Sequence, residues 1–147
     1  MPRALTEARV SEIRRLFLER IPFNRVLGIE IVELGPGRAL FAVPFRPELI
    51  GDPERPALHG GVLSAVADTC GGCAVWCAVE EDDRVSTIDL RVDYLRPGRP
   101  EDLRCEGRVL RVGTRVGAAH VTLFQDSAPG EVIAEAKGVY SVKRATR

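Results

Sequence analysis

The sequence predicts an α+β fold: a curled, mostly antiparallel six-stranded sheet wrapped around one long central helix, with an amphipathic helix in front of it. Three observations predict it. Val62 to Val79 is one apolar run with Asp68 as its sole charge, too long for a strand and apolar on nearly every side, so it reads as a buried helix. From Ser86 to Val142 the pattern alternates at period two between short turns, the mark of antiparallel strands. A helix of that kind is hidden by a single sheet only if the sheet curls around it.

The elements follow in order. Ala4 to Arg20 places Leu5, Val10, Ile13, Leu16 and Phe17 among charges, a surface helix with Thr6, Glu7 or Ser11 as its cap, and Ile21-Pro22-Phe23-Asn24 breaks it. Leu27 to Leu34 and Arg38 to Phe45 form a hairpin about Gly35-Pro36-Gly37. Arg46 to Leu58, with Pro47, Gly51, Pro53 and Pro56, is a loop that feeds the central helix. After an acidic connection at Glu80 to Asp83 come four strands, Ser86–Leu95, Asp102–Val112, Thr114–Gln125 and Glu131–Val142. Strict alternation puts Ile88, Leu90, Val92 and Tyr94 on one face of the first, and Thr87, Asp89, Arg91 and Asp93 on the other. A sheet wrapped on one central helix is the hotdog arrangement. Its core spans about 27–142, within a single domain assigned to 1–147, a length that suits one domain.

Composition narrows the function. Basic and acidic residues balance at 21 each, so no overall field steers the chain to nucleic acid, and 5% aromatic content offers few stacking platforms. Met1 to Arg20 lacks the uncharged apolar stretch of a secretory signal. Val62 to Val79 approaches membrane length but holds Asp68 and the Gly71-Gly72 pair, which argues against a span. Neither nucleic acid nor membrane is an expected partner, and the expected compartment is the cytoplasm. Cys70, Cys73 and Cys77 share one helix face, and with Cys105 they read as small packing residues rather than metal ligands.

The chemistry gathers at His59-Gly60-Gly61 and Asp68. Two glycines at a helix start leave backbone N–H groups open at the positive end of the helix dipole, an arrangement suited to a developing oxyanion. A carboxylate on an apolar helix is costly unless it is used or paired, as a general base or nucleophile, or in a hydrogen bond from Ser64 or Thr69. Gly60 and Asp68 stand about 12 Å apart along one helix at 1.5 Å per residue, too far to act on one atom. Two antiparallel copies across a two-fold axis bring Gly60 of one chain to Asp68 of the other, so an obligate dimer is expected. His59 fixes the loop or contacts the substrate, Thr87 or Ser86 positions water, and Gly61 borders the substrate. His120 reads as strand packing. No Gly-x-Ser-x-Gly elbow, zinc spacing or dinucleotide-binding glycine pattern occurs in the sequence.

These residues resemble a known family. His59-Gly60-Gly61-Val62-Leu63 through Ala67-Asp68-Thr69, then Thr87-Ile88-Asp89-Leu90-Arg91-Val92-Asp93-Tyr94-Leu95-Arg96-Pro97, are similar to the PaaI-like branch of hotdog-fold acyl-CoA thioesterases, named for phenylacetate degradation. The resemblance spans roughly Leu27 to Val142. It implies Gly60 as oxyanion-hole glycine, Asp68 as nucleophile or general base across the dimer, His59 at the thioester and Thr87 as a water-orienting hydroxyl. It also implies dimers that pair into tetramers, and aromatic or medium-chain acyl-CoA substrates, coenzyme A being part of the substrate with no separate cofactor. Many members carry Asn or Gln where this chain has Pro53, with Asp52 as the neighbouring polar group. Arg91, Arg96 and Arg99 are candidates for the coenzyme A phosphates. The competing function is a non-catalytic acyl-CoA-binding or sensing module. The buried acid argues for the enzyme, since a plain apolar pocket gains nothing from it. A dehydratase would need His59 and Asp68 paired across the dimer.

Overall fold

In the computed structural model, which describes residues 3–146, a six-stranded sheet curls around one 17-residue helix. The chain opens with α1 (Glu7–Arg15), capped by Thr6, whose hydroxyl accepts the Arg9 N–H at 3.1 Å. A wide π-turn, Leu16–Arg20, continues it, and Ile13 and Phe17 from this segment are buried in the core. Pro22 does more than break the helix. It starts a second short helix, α2 (Pro22–Leu27), because proline at the first helical position lacks only an N–H that would be unpaired anyway. Gly28 closes α2 in the left-handed conformation at φ +74°, so the first strand begins later than its β-rich composition suggests.

The sheet strands are β1 (Glu30–Gly35), β2 (Arg38–Val43), β5 (Arg84–Tyr94), β6 (Leu103–Val112), β7 (Val116–Phe124) and β8 (Ala134–Lys143), in the order β1-β2-β6-β7-β8-β5, all neighbours antiparallel. The expected loop over 46–58 holds structure of its own: a 3-10 turn at Pro47–Leu49 and a two-stranded hairpin, β3 (Ile50–Asp52) with β4 (Ala57–Leu58).

The central helix α3 (Gly60–Trp76) starts two residues earlier than the apolar run and stops sooner, with Cys77 as its C-cap. It packs against β2, β5, β6, β7 and β8. The approach is close because glycines stand where the backbones meet: a Cβ on Gly107 of β6 would lie 2.8 Å from the Cys70 carbonyl oxygen. Gly71, Gly72 and Gly138 leave room for the buried ring of Tyr140, which donates its hydroxyl to the Asp68 backbone oxygen at 3.0 Å. All four cysteines are buried free thiols, and burial pushes the Cys73 and Cys105 thiols up, as suits packing residues. Arg9 of α1 reaches the far end of α3, donating to the Trp76 carbonyl at 3.0 Å with its guanidinium over the Trp76 ring.

The helix is not covered on all sides. Its second half is enclosed, but Gly61, Val62, Ala65, Asp68 and Thr69 form a face in the first half that stays partly open. Beside that face runs β5, an edge strand whose Ile88, Tyr94 and adjoining Leu95 are more than half exposed. Among the described residues no helix is long and apolar enough to cross a membrane.

Two stability predictions follow from this packing. Gly107→Ala forces a methyl against a backbone carbonyl that cannot move aside, and a urea midpoint should report a loss of about 1–3 kcal/mol. Gly130→Ala, with nothing within 4 Å, should leave the midpoint in place. Asp83 supplies a pH-dependent element. Its buried carboxylate accepts from Arg144 Nη1 at 2.7 Å and from the amides of Ala145 and Glu80, each at 3.1 Å. Burial opposes its ionisation, but these donors outweigh burial and hold it below the usual carboxylate range. Its contribution is therefore complete above the free carboxyl value of about 3.9 and is lost as pH falls through the lower folded value. Melting curves of Asp83→Asn should show lower stability at neutral pH and a shallower acid limb.

Candidate active site

The site begins where β4 hands over to α3. The Leu58 N–H donates to the Gly98 carbonyl at 2.9 Å and the His59 N–H to the Leu49 carbonyl at 2.8 Å, so the entry to the helix is held from both sides. His59 is the N-cap: its Nδ1 accepts the Gly61 N–H at 2.8 Å, which puts the proton of the neutral ring on Nε2. A side chain on Gly51 would meet the His59 backbone, so β3 passes flush against the cap. The Gly61 N–H is engaged by this cap and is not free for a substrate. Gly61 is glycine because a Cβ there would lie 2.8 Å from His59 Nδ1.

The Gly60 N–H has no acceptor among the described residues. It stands at the first position of α3, where the helix dipole is positive. The Gly60 carbonyl accepts from Ser64 Oγ at 3.1 Å and from the Tyr94 hydroxyl at 3.2 Å, and the two hydroxyls also bond each other.

Two turns further on, Asp68 lies on the open face of α3, its Oδ1 accepting from Thr87 Oγ1 at 2.7 Å. Neither helix hydroxyl serves it: Ser64 is on the Gly60 carbonyl, and Thr69 donates to Ala65 at 2.8 Å. Among the described residues no cationic side chain pairs with Asp68, and its second oxygen is unengaged. Thr87 reaches it through a β-bulge. The β5–β8 register shifts between Thr87 and Asp89, so Ile88 is the extra residue and turns outward. Thr87 then faces the helix on the same side as Leu90, Val92 and Tyr94, where strict alternation placed it opposite. Ser86, its neighbour, lies exposed on the other face and does not join Asp68.

The structure thus brings Asp68 to Thr87 and His59 to Gly61, but keeps Gly60 and Asp68 apart along the helix. Pro53 is exposed in the β3–β4 turn, and Asp52 Oδ1 accepts the Glu54 and Arg55 amides at 3.0 and 3.1 Å, so its carboxylate shapes that turn rather than the site. His120 is half-exposed, 3.9 Å from Glu135. Arg91 pairs with Asp93, and Arg96 and Arg99 share Glu131. Arg96 also lines a shallow depression of about 370 Å³ beside Gly60, with Leu58, Leu63, Tyr94 and Leu95. Ser64 and Tyr94 were not among the expected site residues. The period-two pattern that puts Tyr94 on the inner face with Leu90 and Val92 was the available signal.

Comparison with known proteins finds relatives over most of the chain. The thioesterase superfamily model matches residues 56–130. The medium/long-chain acyl-CoA thioesterase YigI of Escherichia coli K12 is 33% identical, the match covering 82% of this chain and 86% of YigI. A crystal structure of a Shewanella oneidensis protein related to the thioesterase superfamily is 30% identical, with a TM-score of 0.79 over 93% of this chain and 99% of that one. The E. coli PaaI protein of the phenylacetic acid degradation operon shares the fold at a TM-score of 0.81 and 19% identity, covering 95% and 96% of the two chains.

The cap makes a direct prediction. His59→Ala removes the acceptor for the Gly61 N–H and should lower stability by about 1 kcal/mol, while His59→Asn, another N-cap former, should restore most of it in thermal melts.

Proposed function

The chain belongs to the thioesterase superfamily, and from that premise we propose that it hydrolyses acyl-CoA thioesters of aromatic or medium-chain acids in the cytoplasm. The observation that carries the proposal is Asp68: on the partly open face of a buried helix, with one oxygen held by Thr87 and, among the described residues, no cation paired with it and no partner for its other oxygen. The name of the YigI relative favours the medium-chain arm.

In this reading Gly60 N–H of one protomer stabilises the oxyanion that develops on the thioester carbonyl. Asp68 of the partner subunit takes a proton from the attacking water, or attacks the carbonyl itself to give an acyl intermediate that water then cleaves. The carbon–sulfur bond breaks and coenzyme A leaves as thiolate, neutralised by the proton Asp68 took from water in the first route and by a proton of the water that cleaves the acyl intermediate in the second. Thr87 holds the carboxylate so that its free oxygen points to the reacting centre. The separation of about 12 Å between Gly60 and Asp68 on one helix requires a second chain. The partly open face of α3 and the exposed apolar residues of β5 supply a surface for it. A homodimer, pairing further into a tetramer, is the proposed assembly.

Thiol release from a panel of coenzyme A esters tests the reaction. Asp68→Asn should lower kcat by about 10²- to 10⁴-fold. Gly60→Pro deletes the proposed donor: among the described residues no hydrogen bond uses that N–H, proline suits a first helical position, and His59 at ψ 132° is compatible with a following proline, while the added Cβ, 3.3 Å from Tyr94 Cε1, asks the ring to shift by a few tenths of an ångström. It should lower kcat by about 10²- to 10³-fold. Mixing the two variants after co-refolding should recover about a quarter of wild-type activity, since half the dimers are mixed and each holds one intact site. No recovery would place the whole site in one chain. Binding of every ester without thiol release would identify an acyl-CoA-binding module instead.

A further inference from the structure

We infer that Tyr94, together with Ser64, is a positioning residue that holds the first turn of α3, and with it the Gly60 N–H, against β5. The inference rests on the reading of Gly60 as the oxyanion donor.

Gly60 has no side chain and occupies the first position of a helix, where the chain has most freedom to fray. An oxyanion donor there acts only if it is held in place before the charge develops. Its N–H lies in the plane of the His59–Gly60 peptide, and where that N–H stands depends also on the Cα that this plane shares with the next one. The first, between His59 and Gly60, is fixed through its carbonyl, which accepts the Val62 and Leu63 amides at 3.0 and 3.3 Å. The second, between Gly60 and Gly61, is held at both ends. Its N–H donates to His59 Nδ1 at 2.8 Å, and its carbonyl accepts from Ser64 and Tyr94.

Three of these anchors, His59, Val62-Leu63 and Ser64, belong to the helix and its own cap; the cap is tied to Leu49 through the His59 N–H, but none of the three reaches the Gly60–Gly61 peptide from the sheet. Tyr94 belongs to the sheet. Its ring packs against the bare Cα of Gly60, where a Cβ would lie 3.3 Å from Cε1, and its hydroxyl closes a triangle with Ser64 Oγ and the Gly60 oxygen. The carbonyl is accept-only, so the two hydroxyl protons serve a triangle of three oxygens and tie the helix start to the end of β5. The hydroxyls bond the carbonyl side of Gly60, away from the N–H that faces the substrate. Their effect on the donor is therefore one of holding its turn in place, without contact with the reacting atoms.

β5 runs antiparallel to the first half of α3, so one strand reaches both groups. Thr87 near its start holds Asp68, and Tyr94 at its end holds the turn of Gly60.

Tyr94→Phe keeps the ring and removes the hydroxyl. It should lower kcat about ten-fold with KM within two-fold, as expected for an interaction that matters only in the transition state. Ser64→Ala strikes the same carbonyl from within the helix and should give a smaller fall of the same kind. The pH profile of kcat should stay in place in both, because Asp68 is untouched. The deciding measurement is a double-mutant cycle. In the Gly60→Pro background, Tyr94→Phe should produce no further fall, since the donor it holds in place is gone. An equal fall in both backgrounds, a rise in KM at unchanged kcat, or an unchanged kcat for Tyr94→Phe would each overturn the inference while leaving the proposed reaction standing. Full activity of Gly60→Pro alone would remove the donor assignment itself, and the inference with it.

Discussion

The fold depends on one contact: an apolar helix lodged against the concave face of a sheet closely enough that backbone meets backbone. A helix bearing Leu63, Val66, Ala67, Cys70, Cys73, Ala74 and Val75 leaves water at a gain of about 25 cal/mol per Å² of apolar surface, and a sheet hides it only by curling. The curl brings β6 down onto α3 at Gly107, where the Cys70 carbonyl leaves no room for a side chain. Two strands away, on β8, Tyr140 fills the gap left by Gly71, Gly72 and Gly138, and its hydroxyl is satisfied by the Asp68 carbonyl. Burial, with the Asp68 charge adding to it, pushes that phenol well up, so it stays a neutral donor. The small residues of α3 thus have a mechanical purpose, letting the sheet close on the helix.

The same closeness leaves one side unfinished. The sheet ends at β5, and the first half of α3 looks out past that edge. An exposed edge strand with large apolar residues is a liability for a solitary chain, and a natural seat for another copy of itself. The polar groups of interest lie on this unfinished side. Asp68, Thr87, Gly60, Ser64 and Tyr94 all sit where α3 and β5 run side by side. The part of the molecule that gains least from burial is the part where the chemistry is proposed.

Charge plays a local role. With equal numbers of acids and bases the molecule has no net field to guide a substrate, so the proposed site draws on the helix dipole at Gly60 and the carboxylate at Asp68. The surface arginines near the site are engaged with Asp93 and Glu131, and the expected polar stand-in, Asp52, is engaged by its own turn.

The sequence by itself determined the class of fold, the central helix, the six strands and the His59-Gly60-Gly61 and Asp68 positions, because these rest on periodicity and local spacing. Residues three or four apart share a helix face and residues two apart share a strand face whatever the rest of the chain does. It also bounded the helix start, since glycines after a polar cap mark one. The tertiary structure alone decided the rest. That Pro22 begins a helix, that Ile88 is squeezed out as a bulge, that Thr87 turns inward to Asp68 while Ser86 turns away, and that Tyr94 closes on Gly60 all depend on which strand lies beside β5 and α3. A bulge shifts every side chain beyond it to the opposite face, and its cause lies in the register with β8, some fifty residues along the chain. Local patterns carry no record of such a partner, so the pairing that orients the site exists only once the chain has folded.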